Sequence, residues 1–274
     1  MVVTYFNGKF IDLDDQVIPI EERGHNFGDG IYDVIRAYNG RLFMLEAHLD
    51  RIWQSAAGIQ LAIGRTRAEL KAELLLCFDR LGVENADVYL QITRGIAPRN
   101  HLFPADCAAS ISIIVRPTKE FPMGAKNAVK LLPDERWANC YIKSLNLLPN
   151  VLARQTAVAA GYAEAVFVKD GYVTEGSATA AFIVKDGVII VTPLSKQILP
   201  SITRMVVKQI AEKVGIPYEE RHFTTAEMKN ADEVFIAGTL IEIMGITGVD
   251  EIVIGDGTVG EITKKLQTEF FKLV

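Results

Sequence analysis

The chain has 274 residues, of which 49% are apolar and 23% are charged, a balance that excludes an intrinsically disordered polypeptide. Its net charge of −5 is spread out without a basic run or an acidic tail, so we expect a small-molecule partner, with no nucleic acid and no membrane. No apolar run reaches the roughly 18 residues that span a bilayer, and three scattered cysteines are typical of reduced thiols, which predicts a cytoplasmic protein.

The first part of the chain predicts an α+β domain. Alternating apolar residues flank the Asn-Gly pairs that begin at Asn7 and Asn39, and this pattern is a strong signal for a β-hairpin. Apolar residues at helical spacing then predict two helices, the second with Thr66 as its N-cap and Gly82 as its end. Two strands follow, so we expect helices packed on an antiparallel sheet. The helices are predicted over 45–59 and 66–82, and the later strands over 86–95 and 109–118.

A linker is predicted after the second of these strands. The stretch PTKEFPMG, residues 117–124, has two prolines, a glycine and no hydrophobic period. We therefore predict a first domain over 1–117, a linker over 118–123 and a second domain over 124–274. The second domain mixes strands predicted near 127–132, 163–168, 180–184, 188–191 and 233–236 with helices predicted near 144–160, 201–214 and 259–272.

Two motifs in the sequence suggest chemistry that the context does not support. GDGTVG, residues 255–260, matches the dinucleotide-binding pattern, but only 14 residues follow Gly260 and a second strand has no room. The motif therefore predicts a turn. The four histidines lack the spacing of metal ligands relative to each other or to a cysteine, so we expect no metal site.

Lys143 stands in an apolar run, residues 139–155, with no carboxylate within several positions. Two interpretations remain open from this stretch alone. The side chain of Lys143 can extend its ammonium group to water at the end of a strand. Alternatively, burial can lower the pKa of the amine, so that the neutral form serves as a nucleophile that forms a Schiff base and later as a base.

Distant segments supply chemistry that complements an amine. The stretch 171–184 predicts two strands joined by a bend that would direct Glu175 inward. The stretch 198–215 predicts a helix whose first N–H groups form an anion site. Arg51 follows His48 by one helical turn and can pair with a phosphate. An amine, an inward carboxylate and a phosphate site are what pyridoxal 5′-phosphate requires.

Motifs along nearly the whole chain resemble those of the class IV, or fold-type IV, pyridoxal-phosphate aminotransferases. The resemblance implies an α+β fold with an N-terminal α/β sandwich and a C-terminal α/β pseudo-barrel, and a homodimer that shares its active sites. The motif PRNH resembles the corresponding motif in the members of this family that act on D-amino acids. The matching stretches are RGHNFGDGIYDV, HLDR, TRGIAPRNHLFP, IKSLNLLPNVLARQ, VTEGSATAAF, ILPSITR and VGEITKKLQ.

The resemblance also implies roles for residues around the cofactor. Lys143 would bond to the cofactor and move the substrate proton, and Glu175 would pair with the pyridine nitrogen. The phosphate would be held by Arg51, Ile202, Thr203 and Thr239.

A second set of residues would hold the α-carboxylate of the substrate. The resemblance assigns this role to Tyr32, Arg99 and His101, the last two from the other subunit. The chemistry is suitable, because a guanidinium group binds a carboxylate through two parallel hydrogen bonds. From spacing alone, a solvated surface loop explains Arg99 and His101 equally well.

We therefore expect a transamination that depends on pyridoxal 5′-phosphate. The amino group of a D-amino acid, with D-alanine as the expected donor, would pass to 2-oxoglutarate. A branched-chain L-amino acid or (R)-amine transaminase and an aminodeoxychorismate lyase are alternatives on the same fold. The sequence departs from the D-amino acid pattern at Ala178, Gly238 and Leu240, which replace hydroxyl-bearing residues. Because of these changes, the sequence does not predict which substrate side chains the active site accepts.

Overall fold

The computed structural model describes residues 2–118 and 127–274, which form two compact units. Residues 2–118 and 142–146 form the N-terminal unit, and residues 127–141 and 147–274 form the C-terminal unit. The segment around Lys143 therefore lies with the N-terminal unit, which the sequence did not predict. Most of the predicted linker, 118–123, falls outside the described residues, and the predicted domain limits stay a prediction.

The N-terminal unit is built on an antiparallel sheet of six strands in the order β2-β1-β6-β5-β3-β4. Helices α2 and α3 pack on this sheet, as the sequence predicted. The core between them is apolar, with Ile35, Leu49, Leu70 and Leu74 fully buried. The elements are β1 Val3–Phe6, β2 Lys9–Ile11, α1 Arg23–Phe27, β3 Gly30–Tyr38, β4 Arg41–Leu42, α2 Leu45–Gly58, α3 Arg67–Leu81, β5 Ala86–Thr93 and β6 Ser110–Pro117.

Local sequence signals explain the ends of these elements. Asn7 and Asn39 both have positive φ, as a two-residue hairpin turn requires, and both predicted hairpins are confirmed. Thr66 caps α3 through a capping box with Glu69, and Gly82 ends that helix with a φ of +70°. Both predicted helix ends are therefore confirmed.

The C-terminal unit contains two five-stranded sheets in the orders β12-β11-β10-β13-β14 and β16-β15-β7-β8-β9. Buried residues of both sheets form one core, the arrangement that the predicted pseudo-barrel requires. The elements are β7 Ala128–Pro133, α4 Leu148–Ala159, β8 Glu164–Lys169, β9 Tyr172–Gly176, β10 Ala180–Lys185, β11 Val188–Val191, α5 Ile202–Val214, β12 Tyr218–Glu220, α6 Thr225–Lys229, β13 Glu233–Gly238, β14 Glu242–Ile246, β15 Gly248–Val249, β16 Ile252–Val253 and α7 Glu261–Phe271.

The structure corrects the prediction for the helix near 144–160. That helix, α4, begins at Leu148, because residues 142–146 bond instead to the start of β3. The short elements α1, α6, β12, β14 and β15 were not predicted, since pieces of two to five residues carry little periodicity. The motif at 255–260 forms a turn that leads into α7, as predicted. Among the described residues, no helix is long and apolar enough to cross a membrane, and no group of three or more His, Cys, Asp or Glu residues is arranged to hold a metal ion.

Candidate active site

The backbone of Lys143 is fixed against β3 and α2. Its carbonyl oxygen accepts a hydrogen bond of 3.0 Å from the N–H of Tyr32, and its N–H donates one of 3.1 Å to Ser55 Oγ. Two residues on, the N–H of Leu145 donates to the carbonyl oxygen of Gly30. Position 30 requires glycine, because a Cβ there would lie 2.6 Å from the carbonyl oxygen of Ile92. The lysine is thus held by a rigid strand and a rigid helix.

The ammonium group of Lys143 lies over an aromatic ring. Its Nζ is 4.2 Å from the ring centroid of Tyr32, which is the geometry of a cation–π contact. The side chain of Lys143 is half-buried, which lies between the two interpretations that the sequence left open, an amine extended to water and a buried amine. Within the described part of the chain, Lys143 forms no ion pair with a carboxylate. The structure therefore joins two of the predicted site residues, Lys143 and Tyr32, in one contact.

Arg51 belongs to a buried cluster in the same unit. Its Nε donates to Asp33 Oδ2 at 2.9 Å and its Nη2 to Asp33 Oδ1 at 2.6 Å, while His48 Nδ1 lies 2.9 Å from Asp33 Oδ1. His48, Arg51 and Ser55 lie three and four residues apart on one face of α2, so this face carries both the cluster and the residue that binds the backbone of Lys143. Sequence reasoning missed Asp33. An aspartate inside the apolar strand IYDVI was the available signal, because a buried carboxylate needs a partner.

Burial and charge set the protonation of this cluster. Burial by itself would raise the pKa of Asp33, but the charge of Arg51 and the hydrogen bond with His48 hold that pKa below its usual value. Burial lowers the pKa of His48, and the nearby charges of Arg51 and Lys143 lower it further against the opposing effect of Asp33. The cluster therefore holds a carboxylate, a neutral imidazole and a guanidinium group, with the cationic Lys143 beside it.

Arg99 and His101 are exposed and lie on the loop between β5 and β6. Both contact the ring of Phe27, with the Arg99 guanidinium carbon 5.0 Å and the His101 ring centroid 5.6 Å from its centroid. The aromatic and cationic partners of Tyr32 are instead Tyr89 and Lys143. The predicted carboxylate-binding residues therefore form two groups in this chain, Tyr32 with Lys143 and Arg99 with His101.

Glu175 lies at the end of β9 and is buried in the C-terminal unit, so the expectation of an inward carboxylate is confirmed. It accepts a hydrogen bond from Arg136 Nη1, and the N–H of Leu199 donates to both of its oxygens at 3.1 and 3.2 Å. Arg136 also donates to Asp134, which accepts a further bond from Thr174. Sequence reasoning missed Asp134 and Arg136, because the stretch PDERW is typical of a charged surface turn.

With both carboxylates ionised, this second cluster carries one more negative than positive charge. Burial raises the pKa of Glu175 to about 7, although Arg136 and the N–H of Leu199 act in the opposite direction. Burial also acts to raise the pKa of Asp134, but its hydrogen bonds and charge interaction with Arg136 lower it below the usual value. Arg136 thus neutralises Asp134 more completely than Glu175. The Glu175 carboxylate is therefore suited to a further positive partner.

The start of α5 and two turns meet beside Glu175. Leu199 links Glu175 to the segment that enters α5, where Ser201 caps the helix and Ile202 and Thr203 are buried. The first N–H groups of a helix have no partner within the helix and attract anions. The predicted phosphate ligands Ile202 and Thr203 therefore lie in one helical turn next to the buried carboxylate.

Thr239 lies on the turn after β13, beside the turn that follows Glu175. A Cβ on Gly238 would lie 3.3 Å from the carbonyl oxygen of Ala178 and 3.6 Å from the methyl carbon of Thr179. The hydroxyl of Thr179 is buried and, among the described residues, has no hydrogen-bond partner. A buried hydroxyl without a protein partner is costly, so these two turns are suited to a polar ligand.

Comparisons with known proteins agree on one family. A family model described as amino-transferase class IV matches residues 30–249. A D-alanine aminotransferase from Bacillus licheniformis is 41% identical over 265 residues, covering 96% of this chain and 94% of that protein. The structure of a branched-chain amino acid aminotransferase from Escherichia coli matches with a TM-score of 0.92 at 26% identity, covering 99% of this chain and 93% of that one. A 4-amino-4-deoxychorismate lyase from Pseudomonas aeruginosa matches with a TM-score of 0.84 at 27% identity over 98% of both chains. The predicted fold is therefore confirmed.

Proposed function

Because the chain belongs to the class IV amino-transferase family, we propose that it transfers the amino group of a D-amino acid to 2-oxoglutarate. D-Alanine is the proposed donor, with pyruvate and D-glutamate as products. The similarity at 41% identity to a D-alanine aminotransferase supports this substrate class. The structures of the branched-chain enzyme and of the lyase share the fold at 26% and 27% identity, which does not favour their substrates.

The residues present fit pyridoxal 5′-phosphate as the cofactor. The start of α5 and the hydroxyl of Thr203 suit a phosphate group, and the unpartnered hydroxyl of Thr179 suits a polar ligand. We propose that Arg51, Ile202, Thr203 and Thr239 hold the phosphate. When bound, the cofactor supplies an aldehyde that takes up the amino group and a ring that withdraws electrons from the α-carbon.

The charge around Glu175 is the observation that carries this proposal. A protonated pyridine nitrogen is a cation, and the cluster of Asp134, Arg136 and Glu175 has one excess negative charge. Burial raises the pKa of Glu175 to about 7 despite its bonds to Arg136 and Leu199, so keeping the excess charge ionised in this buried place is costly. A cation beside the carboxylate would lower this cost, so Glu175 would hold a proton at the ring nitrogen of the cofactor.

Lys143 is the proposed proton carrier. Its backbone is fixed by Tyr32 and Ser55, so only the flexible side chain moves while the amine takes a proton from the α-carbon of the substrate and returns it. In the proposed function, the α-carboxylate of the substrate is bound through charge-assisted hydrogen bonds by Arg99, His101 and the hydroxyl of Tyr32. Fixing the carboxylate decides which face of the α-carbon meets Lys143, and this choice selects one enantiomer.

The oligomeric state and location form part of the proposal. We propose a cytoplasmic homodimer in which Arg99 and His101 of one subunit bind the substrate of the other. The loop that carries them also exposes Ile96, Leu102 and Phe103, and exposed apolar residues at a loop tip support contact with another chain. The described cysteines are free thiols, in agreement with a reducing compartment.

A comparison of enantiomers tests the proposed reaction. Purified protein loaded with pyridoxal 5′-phosphate is mixed with D-alanine or L-alanine, with and without 2-oxoglutarate, and the loss of the visible cofactor absorbance and the release of pyruvate are measured. We expect D-alanine alone to remove the absorbance, and steady pyruvate release only with 2-oxoglutarate. Faster reaction with L-alanine, or release of pyruvate from aminodeoxychorismate without an acceptor, would contradict the proposal.

Mixing an inactive variant with a variant impaired in substrate binding tests the shared site. Lys143→Ala and Arg99→Ala proteins are each purified, mixed under conditions that exchange subunits, and assayed with D-alanine and 2-oxoglutarate. If Arg99 acts across a dimer, the mixed dimers contain one complete site and activity returns. If the mixture stays as inactive as its components, the two residues act within one chain.

A further inference from the structure

Phe27 lies at the centre of a cluster formed by the predicted carboxylate-binding loop. The ring of Phe27 is half-buried at the end of α1, and three side chains contact it. The guanidinium carbons of Arg23 and Arg99 lie 4.9 Å and 5.0 Å from its centroid, and the ring of His101 is tilted by 54° at 5.6 Å. Both residues assigned to the substrate carboxylate therefore rest on one aromatic ring.

The position of Phe27 is itself fixed by the turn that ends α1. Gly28 has a φ of +64°, and its N–H donates to the carbonyl oxygens of Arg23 and Gly24. A Cβ on Gly28 would lie 2.8 Å from Asn146 Oδ1, so glycine is needed both for the backbone angle and for the space. At the other end of α1, Glu22 accepts a hydrogen bond from the N–H of His25. The ring is thus presented by a short element capped at both ends.

Arg23 holds the backbone of the same loop. Its Nη1 donates to the carbonyl oxygen of Asn100 at 2.7 Å and lies 3.4 Å from that of Leu102, the residues on either side of His101. The side chain of Arg23 is buried, and its Nε donates to Asp29 Oδ2 at 2.8 Å. Because the guanidinium group is planar and rigid, these bonds fix the loop relative to α1.

Arg94 fixes the end of the loop through the same aspartate. Its Nε donates to both oxygens of Asp29 at 3.1 and 2.9 Å, and its guanidinium carbon lies 3.7 Å from the ring centroid of Phe103. Asp29 therefore joins two buried arginines that both contact the loop within residues 100–103. The loop is held by charged hydrogen bonds at its backbone and by aromatic contacts at its side chains.

We propose that Phe27 and Arg23 are positioning residues for the substrate carboxylate. This inference rests on the proposed function, because it takes Arg99 and His101 as the carboxylate ligands. The guanidinium carbon of Arg99 lies 5.0 Å from the ring centroid of Phe27, and the side chain is otherwise exposed, so its N–H groups remain available for a carboxylate. Arg23 fixes the backbone while Phe27 limits the rotamers of both ligands. Part of the entropy cost of ordering them is therefore met before the substrate binds.

The consequence is a specific kinetic pattern. Phe27 contacts Arg99 and His101, which bind the carboxylate in the proposed function, and it has no assigned role in proton transfer. Substrate binding should therefore weaken when the ring is removed, while the chemical step continues at its former rate. A role limited to the stability of the fold would instead lower the amount of folded protein and change KM and kcat together or neither.

Phe27→Leu is the first test, since it keeps an apolar side chain and removes the aromatic face. We expect KM for D-alanine to rise about tenfold, equivalent to about 1.4 kcal/mol, with kcat changed by less than about twofold. Phe27→Tyr keeps the face and should restore KM. The matched control is Phe10→Leu, because the ring of Phe10 also lies under an arginine, with the Arg80 guanidinium carbon 4.1 Å from its centroid. This control should leave both constants unchanged.

A binding measurement that does not depend on turnover completes the test. The affinity of the protein for propionate, a carboxylate without an amino group, is measured by calorimetry for wild type and for Phe27→Leu, with Tm recorded for each. We expect weaker binding with a Tm close to that of wild type. If Arg99→Ala raises KM while Phe27→Leu changes neither KM nor propionate affinity, the positioning role is wrong although the proposed function stands. If wild type fails to react with D-alanine, both fail.

Discussion

The two units carry polar clusters of opposite net charge. In the N-terminal unit, the buried Asp33 is paired with Arg51 while Lys143 lies close to His48, so positive charge is in excess. In the C-terminal unit, Arg136 is shared by the two buried carboxylates of Asp134 and Glu175, so negative charge is in excess. Each cluster is suited to a ligand group of the opposite sign. In the proposed function, the first receives a phosphate and the second a protonated ring nitrogen.

The difference also shows how similar ion pairs acquire different properties. Asp33 keeps a low pKa because the charge of Arg51 and a hydrogen bond with His48 outweigh the effect of burial. Glu175 has a raised pKa because Arg136 is divided between two carboxylates while burial penalises both charges. The sharing of Arg136 between two carboxylates therefore leaves Glu175 available for a ligand. A buried ion pair without excess charge would serve mainly to hold structure.

Removing the amine should have the largest effect. We expect Lys143→Ala to lower kcat by at least about 10⁴-fold, because the proposed proton carrier and cofactor attachment are lost together. Lys130→Ala is the matched control, since Lys130 Nζ also lies over a tyrosine ring, 5.1 Å from the centroid of Tyr162. Equal losses in the two variants, measured as D-alanine turnover, would show that the contact with Tyr32 is only structural.

Glu175→Gln tests the excess charge in the C-terminal unit. The amide keeps the shape and accepts the hydrogen bond from Arg136, but it does not hold a proton on the ring nitrogen. We expect kcat to fall by about 10²–10³-fold, with the cofactor still bound. Glu164→Gln is the control, because Glu164 is also buried and pairs with Arg154. Absorbance of the cofactor and turnover of D-alanine measure both properties, and full activity in Glu175→Gln would contradict the assigned role.

Asp33→Asn tests whether the buried pair with Asp33 holds Arg51 in position. The amide weakens the double hydrogen bond to Arg51, so we expect the free energy of unfolding to fall by about 1.5–3 kcal/mol and the affinity for the cofactor to decrease. Asp87→Asn is a suitable comparison, because Asp87 forms a similar pair with Arg36 in the same sheet but is partly exposed. Urea unfolding and titration with pyridoxal 5′-phosphate provide the measurements. A larger loss at position 87 would argue against the importance of the buried cluster.

The pH dependence of stability should differ between the two clusters. The folded-state pKa of Glu175 is raised from 4.5 to about 7, so the folded protein binds more protons than the unfolded chain between these values. The contribution of Glu175 to stability is therefore complete below pH 4.5 and is lost as the pH rises toward 7. Asp33 has a lowered pKa and contributes stability that is lost only in acid. Tm of cofactor-free protein should show the first trend in wild type and not in Glu175→Gln.

Adding a hydroxyl in the turn that follows Glu175 should have the smallest effect. Ala178 is exposed and its carbonyl oxygen faces Gly238, so Ala178→Ser adds a hydroxyl without disturbing the core. We expect the free energy of unfolding to change by less than about 0.5 kcal/mol. The ratio of kcat/KM for D-alanine to that for a larger D-amino acid shows whether this turn contacts the substrate side chain. An unchanged ratio would place the departure at Ala178 outside the specificity site.

The local elements and the chain family followed from the sequence because their causes are local. Asn7 and Asn39 tolerate positive φ, and Thr66 can cap the helix that follows it, wherever the rest of the chain lies. The apolar spacing within α2 and α3 likewise predicts two helices without knowledge of any tertiary contact. The same holds for the inward direction of Glu175, which follows from a strand that ends in a bend.

The pairing of charges was decided only by the tertiary structure. Asp134 and Arg136 occur in a stretch that resembles a solvated turn, and their role depends on Glu175, 39 residues after Arg136. The proposed role of Phe27 depends on its contacts with Arg99 and His101, which lie on another loop. Sequence can state which residues are able to carry charge, since that is a property of each side chain. Burial and partner decide whether the charge is neutralised or kept for a ligand, and both arise when distant segments pack together.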